Sequence, residues 1–159
     1  MRSVELTIDI NAPRDVILRA ISEYTHPPIL HSWCIKSVQV LEDKDDVSTA
    51  LWRLKVLGFT REAKQKQIIT FPEKMTNETI GGFAKGTLET TLLYETDGGT
   101  RIVDRIDVRV PGWFKPLEWP VAWYTRRITW RILMDHKRDL ESRYGVPGNE
   151  GDLPKGKEE

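Results

Sequence analysis

The chain holds one cysteine in 159 residues, Cys34, so it cannot form an internal disulfide or a zinc site built on cysteine pairs. A reducing compartment fits that composition, and the cytoplasm is the expected location. Charge of one sign is also missing: 24 Lys plus Arg stand against 24 Asp plus Glu. Nothing global draws such a chain to nucleic acid or to an anionic membrane, and no nucleic-acid partner is expected. Long apolar runs are absent. The tryptophan-rich part from Trp113 to Met134 is broken by Lys115, Glu118, Arg126, Arg127 and Arg131, so it falls short of the ~18 consecutive apolar residues of a membrane span. A protein not integral to a membrane is expected. Met1-Arg2-Ser3-Val4-Glu5 shows no apolar h-region and no small-residue cleavage site, so no export signal is expected. There is no Gly-Xaa-Ser-Xaa-Gly elbow, phosphate loop or dinucleotide fingerprint. No cofactor is expected.

What is present suits one domain: 39 % apolar and 30 % charged residues supply a core of ordinary size under a charged surface. Val4, Leu6, Ile8 and Ile10 alternate with Glu5, Thr7 and Asp9, the period of a strand with one buried face. Asn11-Ala12-Pro13 stops that strand, and Asn11 is placed to cap a helix over roughly 14 to 24. Val16, Ile17, Ala20 and Ile21 share one face of this helix, and Thr25-His26-Pro27-Pro28 ends it. A short helical turn follows from Ile29 to Trp33. Six strand-like segments then run near 35 to 42, 47 to 57, 60 to 71, 75 to 83, 86 to 96 and 100 to 110, with short reversals between them. Connections this short imply an antiparallel meander. In the last strand Ile102, Asp104, Ile106, Val108 and Val110 share one face, with Arg101, Val103, Arg105, Asp107 and Arg109 on the other.

Beyond Pro111-Gly112, residues 113 to 120 lead into one long helix from Val121 to Tyr144. Val121, Tyr124, Ile128, Ile132, Asp135 and Asp139 form its expected core stripe, and Trp123, Trp130 and Met134 lie opposite. Residues 145 to 159 carry four Gly, two Pro and six charges with almost nothing apolar, and are expected to be a disordered polar tail.

The order strand, two short helices, six antiparallel strands and one long C-terminal helix resembles the START-like superfamily, also called SRPBCC, of polyketide cyclase/dehydrase and lipid-transport proteins. The residues that carry the resemblance are Ile8-Asp9-Ile10-Asn11-Ala12-Pro13 with Val16, the stretch from His26 to Trp33, the Gly98-Gly99-Thr100 turn and the run Leu133 to Glu141. The resemblance spans residues 1 to 144. It implies an α+β helix-grip fold, in which a seven-stranded antiparallel sheet curls around the C-terminal helix and encloses a mainly apolar cavity.

Candidate residues follow from that cavity and from strand phase. Asp104 lies in phase with Ile102 and Ile106, so its carboxylate points inward, where an unpaired charge is expensive. Either it binds or protonates a ligand, or it is a structural carboxylate paired to Arg127 or Arg131. Leu88, Leu92, Ile106, Val108, Tyr124 and Ile128 are the expected apolar walls, and Thr90 and Gln67 the expected polar lining. Trp52, Tyr94 and Tyr124 either line the space or fill it. His31 and Trp33 are expected at the mouth, where His31 is a second candidate for proton transfer. His26 and His31 have no acidic or cysteine partner beside them in sequence and His136 is distant, so no metal is expected.

Three functions are open. The first is binding or carriage of a small hydrophobic ligand such as a lipid, isoprenoid or polyketide-like compound. A cyclase/dehydrase-type enzyme working in the same cavity is the alternative. The third is a protein-interaction module that uses Trp123, Trp130 and Met134, with a homodimer as its simplest form.

Overall fold

The computed structural model describes residues 2 to 144. The tail expected over 145 to 159 lies outside the described residues. Seven strands, β1 (Arg2–Ile10), β2 (Ile35–Lys44), β3 (Val47–Val56), β4 (Phe59–Thr70), β5 (Lys74–Gly82), β6 (Leu88–Thr96) and β7 (Gly99–Val108), form one sheet. Two short helices, α1 (Arg14–Ser22) and α2 (Pro27–Leu30), follow β1, and a 3₁₀ turn (Gly112–Leu117) leads into the long α3 (Glu118–Tyr144). The sheet order is β1-β7-β6-β5-β4-β3-β2, antiparallel throughout, so the first strand closes the meander against the last. This is the helix-grip arrangement of a curved sheet around a C-terminal helix. Extra residues in β2 and β5 shift the register at Ser37, Glu42 and Gly81; such bulges bend a strand and increase its twist.

Local sequence explains most boundaries. A side chain at Gly99 would place its Cβ 2.3 Å from the Ile10 carbonyl oxygen, so the β6–β7 turn admits only glycine where it meets the end of β1. Asn11 does not cap α1. Pro13 holds that position with extended backbone and no side-chain cap, while the Asn11 N–H donates to Glu141 Oε1 of α3 at 3.0 Å and Thr100 Oγ1 donates to the Ala12 carbonyl at 2.9 Å. Tertiary partners thus replace a local cap. Pro27-Pro28 opens α2 instead of only ending α1, because the first helical positions need no N–H donor.

The two halves of the inner face differ in bulk. At one side Val4, Leu6, Ile8 and Ile10 of β1, with Ile102, Ile106 and Val108 of β7, pack against Ile17 and Leu18 of α1 and Leu133 and Leu140 of α3. Each such side chain stabilises the fold by roughly 1.5–3 kcal/mol when fully buried. Toward β3, β4 and β5 small or polar inward residues, Ser48, Ala50, Ala63, Gln67 and Thr79, stand beside the larger Trp52, Leu54 and Met75. The sheet does not fill the space under α3 on this side, and a cavity walled in part by Trp52, Leu54 and Met75 remains between sheet and helix.

Two faces differ from the periodicity reading. On β6 the inward residues are Glu89, Thr91 and Leu93, so Leu88, Thr90, Leu92 and Tyr94 lie on the opposite face, with Tyr94 51 % exposed. A one-residue shift of phase exchanges the faces, and β6 invites it by putting leucines on both. On α3 the buried stripe is Ala122, Thr129, Leu133, His136 and Leu140, one residue on from the expected one. Ile106 and Val108 belong to the packed core and not to the cavity wall.

Candidate functional site

The cavity occupies about 260 Å³ between the inner faces of β3 to β7, the α1–α2 region and α3. Its apolar walls include Ile21, Trp52, Leu54, Met75, Ile128 and Ile132. Tyr124, Gln67 and Asp104 also lie on the wall, so strand and helix phase placed these residues as expected even where their neighbours moved. Trp52 leans edge-on against Tyr24, whose hydroxyl shares a 2.6 Å hydrogen bond with Ser48 Oγ. Gln67 donates from Nε2 to the Ser22 carbonyl at 3.0 Å and so ties the end of α1 to the sheet. Lining the space and holding its roof are the same task for this side chain.

One polar end of the cavity is built by strand register alone. Asp104 and Thr91 are opposite one another on β7 and β6, and Glu89 and Asn77 on β6 and β5, all facing inward. Thr91 Oγ1 donates to Asp104 Oδ1 at 2.9 Å, and Asn77 Nδ2 donates to Glu89 Oε2 at 3.0 Å. The two carboxyl groups lie close enough for each to shift the other's ionisation. Asp104 is 2 % exposed, and burial followed by the charge of Glu89 pushes its carboxyl well above the usual range. Burial raises Glu89 too, against the hydrogen bonds from Asn77 and Asp104. Two facing carboxyls resist ionising together, so the pair holds its last proton to higher pH than an ordinary carboxyl would. No arginine of α3 clamps Asp104. It meets Thr91 and Glu89 of β6 instead, both of which the misplaced phase of that strand hid.

The other end is built from helices. His26 precedes α2, His31 follows it, and His136 projects from α3; all three line the cavity. His31 Nε2 and His136 Nε2 are 3.1 Å apart, and the ring centroids of His26 lie 5.8 Å and 5.0 Å from those of His31 and His136. Acidic partners are present after all: Asp135 reaches His31 from α3, and Glu23 stands only three residues before His26. Asp135 Oδ2 accepts from Trp33 Nε1 at 2.8 Å and meets His31 Nδ1 at 3.1 Å, while Glu23 Oε1 meets His26 Nδ1 at 2.5 Å. Trp33 is thus a support behind His31, with the Arg131 guanidinium 4.1 Å over its ring. Burial pushes His136 well below the ordinary histidine range, and also lowers His31 against the pull of Asp135. Cys34 lines the same space, and burial pushes its thiol up to about 12, so it is a packing residue and not a nucleophile.

Away from the cavity Trp123 and Trp130 are exposed beside β1, at 54 % and 43 %. Met134 is instead partly buried against the core, since its long flexible chain reaches back from the edge of the stripe. No helix among the described residues is long and apolar enough to cross a membrane.

No family model and no curated protein matches the chain. Solved structures do. A protein of Thermus thermophilus is similar at TM-score 0.76 and 14 % identity, over 89 % of this chain and 98 % of that one. The ZhuI aromatase/cyclase of Streptomyces sp. R1128 is similar at TM-score 0.72 and 14 % identity, over 89 % and 94 %. A START superfamily protein of Mycobacterium smegmatis is similar at TM-score 0.64 and 16 % identity, over 89 % and 96 %. These likenesses show the START-like fold that the sequence resemblance implied.

Proposed function

We propose that this protein binds a small, mostly apolar molecule in the cavity between its sheet and α3, and holds a hydroxyl or carbonyl of that molecule at the Asp104–Glu89 pair. The observation that carries the reading is a pair of carboxyls, Asp104 buried and Glu89 half-buried, facing a space walled by Trp52, Met75, Ile128 and Ile132. Apolar walls provide affinity by burial, and a few convergent polar groups select one orientation. A protonated carboxyl donates to a ligand oxygen and its ionised neighbour accepts from a hydroxyl, so the pair serves either group. At about 260 Å³ the space is at the small end of ligand pockets, which run ~300–1,000 Å³. A molecule of one or two rings, or a short isoprenoid or acyl chain, suits it better than a two-chain lipid. Function in a reducing compartment such as the cytoplasm accords with the lone buried thiol.

Native mass spectrometry of freshly purified protein tests the reading, followed by titration with a panel of aromatic, isoprenoid and short acyl probes. Retained small molecules, or saturable binding that weakens in a Trp52→Ala variant, support it. Absence of both would sink it.

The carboxyl pair also favours a second reading, proton-transfer catalysis of the cyclase or dehydratase kind. General acid–base work needs one group that gives a proton and one that takes it at the same pH, and Asp104 with Glu89 supplies both. Under this reading Asp104→Asn and Glu89→Gln still bind the small-molecule substrate but no longer convert it. Under the carrier reading both variants bind less selectively, and the wild type converts nothing.

A further inference from the structure

The carboxyl pair and the apolar walls leave the histidine end of the cavity without a role in the proposed function, yet it is the more elaborate of the two polar ends. We propose that His26, His31 and His136 form a binding site for a divalent transition-metal ion, with Zn²⁺ the best match, whose open coordination position faces the cavity.

Three observations carry this. The first is spacing: one ring nitrogen from each histidine lies within 4.8 Å of the others. A tetrahedral zinc ion with Zn–N bonds of ~2.0–2.1 Å holds its nitrogen ligands about 3.3 Å apart. His31 and His136 stand near that separation already, at 3.1 Å. His26 has at most about 1.5 Å to close, and it sits on the connection between α1 and α2, where its side chain is partly exposed. The second observation is the back of two of the rings. Glu23 takes the Nδ1 side of His26, and Asp135 takes the Nδ1 side of His31. Carboxylates in those places fix the tautomer, leave the Nε2 lone pair for a metal and orient the ring, the usual supporting arrangement of metal-bound histidine. Both carboxylates are themselves held, Glu23 by the Thr25 hydroxyl at 2.6 Å and the His26 N–H at 2.9 Å, Asp135 by Trp33 at 2.8 Å. The third is place: all three rings lie on the wall of the cavity. Three protein ligands beside an open space leave a fourth position for water or for an oxygen of a bound molecule, the pattern of zinc sites that bind substrates and not of closed structural ones.

Ligand chemistry selects the metal class. Three imidazoles without an oxygen donor suit zinc, copper, iron or nickel and disfavour magnesium and calcium, which require oxygen ligands. The site does not depend on which molecule the cavity takes.

The test uses the full chain without an affinity tag, treated with chelator and then titrated with Zn²⁺ by calorimetry and with Co²⁺ by visible absorption. One equivalent of Zn²⁺ should bind at micromolar or lower concentration, and Co²⁺ should give the ligand-field bands of a four- or five-coordinate nitrogen site. His26→Ala, at a partly exposed position that leaves the core intact, should weaken Zn²⁺ by more than about 100-fold, and Asp135→Asn, acting through His31, by about 10- to 100-fold. His136→Asn should abolish the cobalt bands. The proposal is overturned if Zn²⁺ fails to bind at roughly 100 µM, or if stoichiometric binding persists unchanged in His26→Ala. The His26 variant decides the matter even if His136→Asn does not fold.

Discussion

The inner face of the sheet divides into a filled half and a hollow half, and the two are built by opposite rules. Around β1 and β7 the inward residues are isoleucine, leucine and valine, and they meet α1 and α3 in a continuous core. Around β3, β4 and β5 alanine, serine, threonine and glutamine are mixed with Trp52, Leu54 and Met75. The inward ionisable groups Asp104, Glu89, His31 and His136 all face the hollow half. The contrast teaches that a curved sheet keeps a cavity where short and polar inward side chains interrupt the large apolar ones. Polar groups gather there because only that space can offer them partners.

The comparison can be broken or sharpened by substitution. The largest effect belongs to the filled half. Leu140→Ala at a fully buried position should cost about 2–5 kcal/mol in urea unfolding, since the packed surroundings cannot collapse into the gap. A loss below about 1 kcal/mol would mean that this half is not close-packed.

Next comes the carboxyl pair. Asp104 keeps its proton in the folded state at pH values where the unfolded chain, with an ordinary Asp value near ~3.9, has lost it. The native state then binds more protons, so stability is greatest in acid and declines by about 1.4 kcal/mol per pH unit as pH rises from about 4 to the raised native value. Asp104→Asn, which keeps a partner for Thr91, should remove that part of the decline and leave the variant the more stable at neutral pH. Urea midpoints across that range, compared between the two proteins, check the sign. An unchanged slope would mean that the pair is not coupled to folding.

A smaller change in stability is expected from Thr129→Leu, which adds bulk to α3 where it faces the cavity. In a packed core such an enlargement costs about 1–3 kcal/mol. Facing open space it should cost less than that while reducing uptake of small apolar probes, so fluorescence titration and thermal unfolding together separate hollow from filled. Least of all is expected from Cys34. With its thiol at about 12, labelling by a maleimide near pH 8 should run roughly 10³-fold slower than for a free thiol, for want of thiolate. Fast labelling would show that the cavity wall opens on that side.

Part of this could be read from the residues. The alternation in β7 placed Asp104 inward, the same rule placed Gln67 on β4, and the reversals between strands ordered the meander. Glu89 was not legible, for a physical reason. Period-2 reasoning assumes that the apolar face is the inner one, and on β6 the inner face meets polar Asp104 while Leu88 and Leu92 lie outside. The stripe of α3 slipped by one residue on the same ground, since its buried face carries Thr129 and His136. The expected stripe was still useful, as Tyr124, Ile128 and Ile132 flank the cavity. Asn11 looked like a helix cap because capping propensity is local, whereas Glu141 competes for its backbone from 130 residues away.

Sequence by itself determined the order of elements, the extent of the strands and the face of every strand whose inner side is apolar, because these depend on the geometry of the chain over a few residues. Tertiary structure alone decided that Glu89 faces Asp104 and raises its pKa, and that His31 and His136, 105 residues apart, stand 3.1 Å from each other. Such meetings follow from strand register and from the rotation of α3 about its axis. Both are set by packing the whole core, and neither leaves a local pattern to read.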